Sequence, residues 1–254
     1  MTLLDYKTWN KEELLEKMYD DTFYYGYLGK AALSSSSVKL LNDSPKKYKY
    51  ATEYGNIETQ ALRNGRLFHL SILEPQKFEQ LNFVDVQSKN SKKYKDAKIE
   101  LGEVYTIKEK HEAERMADAL LKNKFAIDLL SASEFEVPAI DMIFGYPFRA
   151  KADVIGNVLV DLKTTQDLKA FPTYKAKAYG YDSQCFIYCN LFKKTYKEFR
   201  FLVIDKATLD IGIFDVSEEF YYSGEQKVEH AIETYNDFFE QGESLEDYVI
   251  RGTL

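Results

Sequence analysis

The sequence predicts a mixed α/β (α+β) fold, and three observations carry the prediction. Apolar residues recur at helical spacing in 106–122, 179–192 and 217–240. Short runs at 133–137, 199–204 and 211–216 have the alternation or apolar content of strands. Between these, 148–165 makes two short strands around a Gly156-Asn157 turn. That hairpin carries Asp153, Asp161 and Lys163 in strand positions, where aspartate and lysine are depleted. A local violation of this kind marks a candidate functional site.

A length of 254 residues with 45% hydrophobic content suits one folded domain with a substantial core. We read 1–254 as a single domain with its core in about 33–205, a helical segment before it and an acidic helix after it. No apolar run approaches the ~20 residues of a membrane span. The first residues lack the basic and apolar regions of a signal peptide. The expectation is a cytoplasmic protein with no membrane partner. Cys185 and Cys189 are too few for a disulfide framework or a four-cysteine iron–sulfur cluster.

The net charge of −7 is unevenly spread. Residues 210–250 hold twelve acids against the single base Lys227, so the rest of the chain is net positive. Lysines gather at 46–49, 89–98 and 169–177. Such clusters suit a face that tracks phosphates, and equally an ordinary solvated surface.

Taken in order, 11–20 has a short amphipathic helix pattern. The aromatic group Tyr19, Phe23, Tyr24, Tyr25 and Tyr27 suits packing, with base stacking as the alternative. Four serines at 34–37 suit a helix start, and Ser44-Pro45 a second one. Residues 56–73 have helical periodicity, include Gly65 and His69, and end before Pro75. A strand is expected at 82–86, then a lysine-rich loop or short helix at 88–98. Thr106 and Glu109 are spaced as a capping box for the helix 106–122. His111 on that helix has no chemical company and reads as surface. Residues 166–179 read as a loop with helical turns. In the helix 179–192, Gln184 and Tyr188 share one face, and the two cysteines read as small core residues.

Paired carboxylates repel, and one stays protonated at neutral pH unless a cation shares the site. A divalent ion resolves this. Mg²⁺ takes carboxylate and carbonyl oxygens, polarises a phosphoryl oxygen and lowers the pKa of an attacking water. Lys163 adds a charge that orients this water or neutralises developing negative charge. Lys163 and Asp161, two apart on a strand, share a face. A two-residue turn would pair Asp153 with Val160, so the chemistry requires an odd-length turn or a bulge. Without it, the hairpin is a surface feature with solvated ion pairs.

The combination of Asp153 with Asp161-Leu162-Lys163 resembles the PD-(D/E)xK nuclease superfamily. Further stretches resemble one branch, the phage and prophage exonuclease VIII (RecE-type) family. They are Ser34 to Lys39 with Ser44-Pro45, Gly65-Arg66-Leu67-Phe68-His69 with Leu73-Glu74-Pro75, and Asp161-Leu162-Lys163-Thr164-Thr165. Gln184 to Tyr188 matches the Q-x-x-x-Y motif of RecB-like nuclease domains. Ala152 stands where the signature has proline.

The resemblance implies a restriction-endonuclease-like core, a central mixed β-sheet flanked by helices. It implies Asp153 and Asp161 as metal ligands, with His69 and the Leu162 carbonyl, and Lys163 as the base or water-orienting group. Gln184, Tyr188, Ser36, Lys39, Thr164 and Thr165 would contact DNA or brace the site. Glu134 is the choice for the family's upstream acid, with Glu136 the other candidate. The implied activity is a Mg²⁺-dependent exonuclease (Mn²⁺ as the other candidate ion) acting 5′ to 3′ on linear duplex DNA. It would leave 3′ single strands for an annealing protein and act as a ring trimer or tetramer. The alternatives are an endonuclease of restriction or repair type, and a non-catalytic DNA-binding protein with the same fold.

Overall fold

The structure is a computed structural model that describes residues 1–55 and 57–250. Its first half is mostly helical. Helix α1 (Lys11–Lys17) is capped by the Asn10 side chain. Ser34 caps α2 (Ser35–Asp43), and Ser44 caps α3 (Pro45–Tyr54), whose first residue is the proline. Helix α4 (Gln60–Leu73) carries His69 and is capped by Thr59. It starts four residues later than the periodicity predicts, because the Thr59 hydroxyl accepts the Leu62 N–H and fixes the entry. Residue 56, within that expected helix, lies outside the described residues.

Strand β1 (Asn82–Val84) pairs in parallel with β2 (Val104–Thr106). The lysine-rich stretch between them forms α5 (Lys92–Leu101), capped by Ser91. Helix α6 (Ile107–Lys122) begins with the Thr106–Glu109 capping box that its spacing predicts. A short α7 (Lys124–Leu130) follows.

The second half holds a five-stranded sheet in the order β3 (Glu134–Ile143), β4 (Tyr146–Ile155), β5 (Leu159–Thr165), β6 (Phe199–Asp205), β7 (Ile211–Asp215). Only β5 and β6 are parallel, so the sheet is mixed, as expected. Helix α8 (Tyr181–Phe192) supplies the crossover between them. β3 is twice the length that 133–137 suggests. It runs through Pro138 and Asp141 to a two-residue turn at Phe144 and Gly145, both with positive φ (50° and 84°). The sequence hides this extension because proline and aspartate interrupt the alternation.

Two cores cover the sheet. One packs α2, α8 and the last helix, α9 (Glu218–Tyr235), on Phe148, Ala150, Ala152, Phe199 and Phe201. The other packs α4, α6 and α7 on Val154, Val160, Leu162, Leu202 and Ile204. Cys185 and Cys189 are buried in the first, as small core residues. Helices α8 and α9 approach closely at Gly224, where an added Cβ would lie 2.1 Å from the Asp182 carbonyl oxygen. Beside it, buried Asp182 accepts from Lys227 and Ser223 of α9. Part of the aromatic group near the N-terminus packs: Trp9, Phe23 and Tyr27 touch one another and Tyr24 is buried under Arg149, whereas Tyr19 and Tyr25 are exposed. Among the described residues, no helix is long and apolar enough to cross a membrane.

Candidate active site

The site forms where β4 and β5 part. Val154 pairs with Val160 and Ile155 with Leu159, which leaves Gly156, Asn157 and Val158 as a three-residue turn. The turn is odd in length, so the next step of the register sets Asp153 opposite Asp161. Lys194 braces it by donating to the carbonyls of Gly156 and Asn157. The ladder does not continue past Val154. Leu162 N–H donates instead to Asp153 Oδ2 at 2.7 Å.

Two helices complete the site. His69 comes from α4, with Nδ1 3.5 Å from Asp153 Oδ2. Gln184 comes from the first turns of α8, and its Nε2 donates to Asp161 Oδ1 at 2.5 Å. Tyr188, one turn on, is buried and donates to the Lys151 carbonyl at 3.0 Å, fixing β4 two residues before Asp153. The Lys163 ammonium contacts Asp161 Oδ2 and lies 4.7 Å from the centre of the Tyr181 ring. Tyr181 was not singled out by the sequence, since an aromatic at a helix start carries no chemical signature.

The expectation of Glu134 as the upstream acid is corrected. Glu134 is exposed and stands opposite Ile155, at the turn end of the hairpin. Phe135 pairs with Val154 and Val137 with Ala152, so it is Glu136 that falls opposite Asp153. Its φ of 53° lies in the left-handed region, a strain of roughly 1–3 kcal/mol for a side chain of this kind. His69, Glu136 and Asp153 each offer a ligand atom within 4.8 Å of the others.

The remaining expected residues are more scattered. Thr165 is buried and uses its hydroxyl locally, with Asp167. Thr164 is half-buried beside it. Ser36 and Lys39 are exposed on α2, and Lys39 reaches the ring of Tyr179. Among the described residues, neither makes a hydrogen bond or ion pair to the site carboxylates.

Burial raises every carboxylate here, and neighbours decide the outcome. Asp161 is pushed up to about 6: burial and Asp153 outweigh Lys163. Asp153 lies below its usual range, because His69, Lys163 and the Leu162 N–H overcome its burial. Glu136 rises to about 7, through burial and then the charges of Asp153 and Glu74. His69 is held protonated more readily than usual, since Asp153 overcomes the effect of burial. Two acids and an imidazole at this spacing suit a divalent cation, and Asp161 stands beside them across the hairpin from Asp153. One buried atom points the same way: Asp161 Oδ2 touches the lysine but accepts no aligned hydrogen bond.

The family described as "PDDEXK-like domain of unknown function (DUF3799)" matches residues 34–246. The chain belongs to this PDDEXK-like family. The match takes in the whole five-stranded sheet, both flanking cores and α9. No curated protein matches the chain. Among solved structures, a proposed exonuclease from Eubacterium rectale is similar at 16% identity, with a TM-score of 0.62 over 92% of this chain and 95% of that one. At this identity the likeness concerns the fold. Two others are more distant. A protein called SSO0001 has 14% identity and a TM-score of 0.44, over 86% of this chain and 85% of that one. A phage-related exonuclease from Haemophilus somnus 129PT has 16% identity and a TM-score of 0.36, over 85% of this chain and 98% of that one.

Proposed function

We propose that this PDDEXK-like protein is a metal-dependent exonuclease that hydrolyses phosphodiester bonds of linear duplex DNA. The observation that carries the reading is the convergence of Asp153, Asp161 and Lys163 at the opening of the β4–β5 hairpin, with His69 and Glu136 beside them. His69, Glu136, Asp153, Asp161 and the Leu162 carbonyl are the groups that would hold Mg²⁺ or Mn²⁺. When bound, the ion polarises the phosphoryl oxygen and makes the attacking water more acidic.

The protein's own residues do the rest. Lys163 stays charged, because Asp161 and Asp153 overcome the effect of its burial. In the charged form it orients the attacking water and neutralises charge that develops on the phosphate. Gln184 holds the Asp161 carboxylate in one orientation, and Tyr188 holds the strand that carries Asp153. Ser36, Lys39 and Thr164 serve the DNA backbone, and Thr165, buried and bonded to Asp167, braces the end of β5.

The E. rectale neighbour is named as a proposed exonuclease, which favours end-directed cleavage over an endonuclease. Resemblance to RecE-type proteins extends the proposal to 5′-to-3′ polarity. It also extends it to a 3′ single-strand product passed to an annealing protein, a ring homo-oligomer and a cytoplasmic location. Digestion of 5′- and 3′-labelled linear duplex beside covalently closed circles tests it. Nucleotides released from linear DNA alone support the reading; nicking of closed circles at a similar rate favours the endonuclease.

A further inference from the structure

A line of cations and rings leads from the site to the surface. Lys163 lies over Tyr181. The Tyr181 ring is 5.7 Å from the Tyr179 ring, at 43° between planes. Lys39 Nζ lies 5.5 Å from the centre of the Tyr179 ring. The two tyrosines differ in freedom. Tyr181 is fixed against Phe171 and Phe201, each 5.8 Å away, whereas Tyr179 is 51% exposed. Gly180 sits between them at φ 78°, a conformation that side chains rarely adopt, and this turn puts both rings near one another.

Lys39 differs from its neighbour Lys177, which is tied to Glu219. Among the described residues Lys39 makes no ion pair, and its contact is the Tyr179 ring. Its ammonium can therefore move to a phosphate without breaking a charge pair. An exposed ring with a mobile cation over it offers a nucleotide both of its anchors, stacking for the base and charge for the phosphate. Only a base with a free face can stack on such a ring. Inside a duplex both faces are covered by neighbouring pairs, and at an end the free face belongs to a whole base pair held in one plane; an unpaired base can turn to meet the ring, so the ring favours an unpaired nucleotide.

We propose that Tyr179 and Lys39 seat an unpaired nucleotide next to the hydrolytic centre, so that the strand end is separated from its complement as it enters. The cleavage part of this inference rests on the nuclease reading above; the binding part does not.

The binding experiment uses the full chain in EDTA and a single-stranded oligonucleotide with 2-aminopurine next to its end. Stacking on Tyr179 quenches the probe. Tyr179→Ala removes the quenching and weakens binding about tenfold, and Tyr179→Trp retains both. The cleavage experiment uses Mg²⁺ and two duplexes of one sequence, with matched or unpaired ends. The wild-type chain cleaves the unpaired end faster, and Tyr179→Ala loses the preference. Quenching that survives in Tyr179→Ala overturns the inference, as do equal wild-type rates on the two ends. Loss of quenching in Tyr179→Ala, with neither duplex cut by any form, supports the nucleotide seat and overturns the nuclease reading.

Discussion

Asp153 stands opposite Asp161 across a three-residue turn, and its carboxylate takes the Leu162 N–H that a strand carbonyl would otherwise receive. The end of the ladder and the start of the site are thus one event. Asp153 opens the hairpin and also faces its partner acid. The same closeness drives their protonation apart, with Asp153 below its usual range and Asp161 up near 6, where burial is the largest influence.

A cation that joins these carboxylates stabilises the folded chain by mass action, by about 2.7 kcal/mol at a hundred times its Kd. Scanning calorimetry in Mn²⁺ against EDTA reads this as a rise of several degrees in Tm. Asp153→Asn and Asp161→Asn each lose most of the rise. With the His69 imidazole as one of the proposed donors, Mn²⁺ is expected to act at lower concentration than Mg²⁺, and His69→Ala to narrow that gap. An equal rise in all variants would place the ion elsewhere.

Gln184→Ala leaves Asp161 Oδ1 without the donor that orients it. With Asp161 as a proposed metal ligand, the expected result is a 10–100-fold fall in kcat/KM, the usual effect of losing the partner behind such a ligand. The circular dichroism spectrum should be unchanged. Wild-type kinetics in this variant would show that Asp161 is oriented by Lys163 alone.

Much of the hairpin was legible in the sequence because strand geometry is rigid. Asp161 and Lys163 must share a face, and Asp153 can join them only across an odd turn, which is what Gly156, Asn157 and Val158 make. The Thr106–Glu109 box was legible because capping is local. Glu136 was not, since its place depends on the β3–β4 register and on a positive φ that no glycine advertises. The parallel pairing of β1 with β2 was hidden too. It joins Asn82–Val84 to residues that read as the approach to a helix, with α5 in between. The contact of Tyr181 with Lys163 arises only when α8 crosses over the sheet.

Glu109 predicts a pH dependence of stability away from the site. Burial raises its pKa, but Lys89, the Thr106 N–H and Gln60 together bring it down to about 2 from the ordinary 4.5. A carboxylate lowered in this way stabilises the fold fully above pH 4.5 and loses that contribution as the pH falls toward 2. Glu109→Gln keeps an acceptor for the capping box but removes the charge. Urea unfolding should show a loss of about 2 kcal/mol at pH 7, shrinking below pH 4.5. A loss of the same size at pH 7 and pH 3 would mean that packing, not charge, is responsible.

The hydrolytic role proposed for Asp153, Asp161 and Lys163 is tested on DNA itself. Release of labelled nucleotides from linear duplex DNA in Mg²⁺ is compared for the wild-type chain, Asp161→Ala and Lys163→Ala, with duplex binding measured alongside. The expected outcome is release by the wild type and a fall of at least about a thousandfold in both variants, while duplex binding persists in Lys163→Ala. Wild-type rates in Asp161→Ala would contradict it.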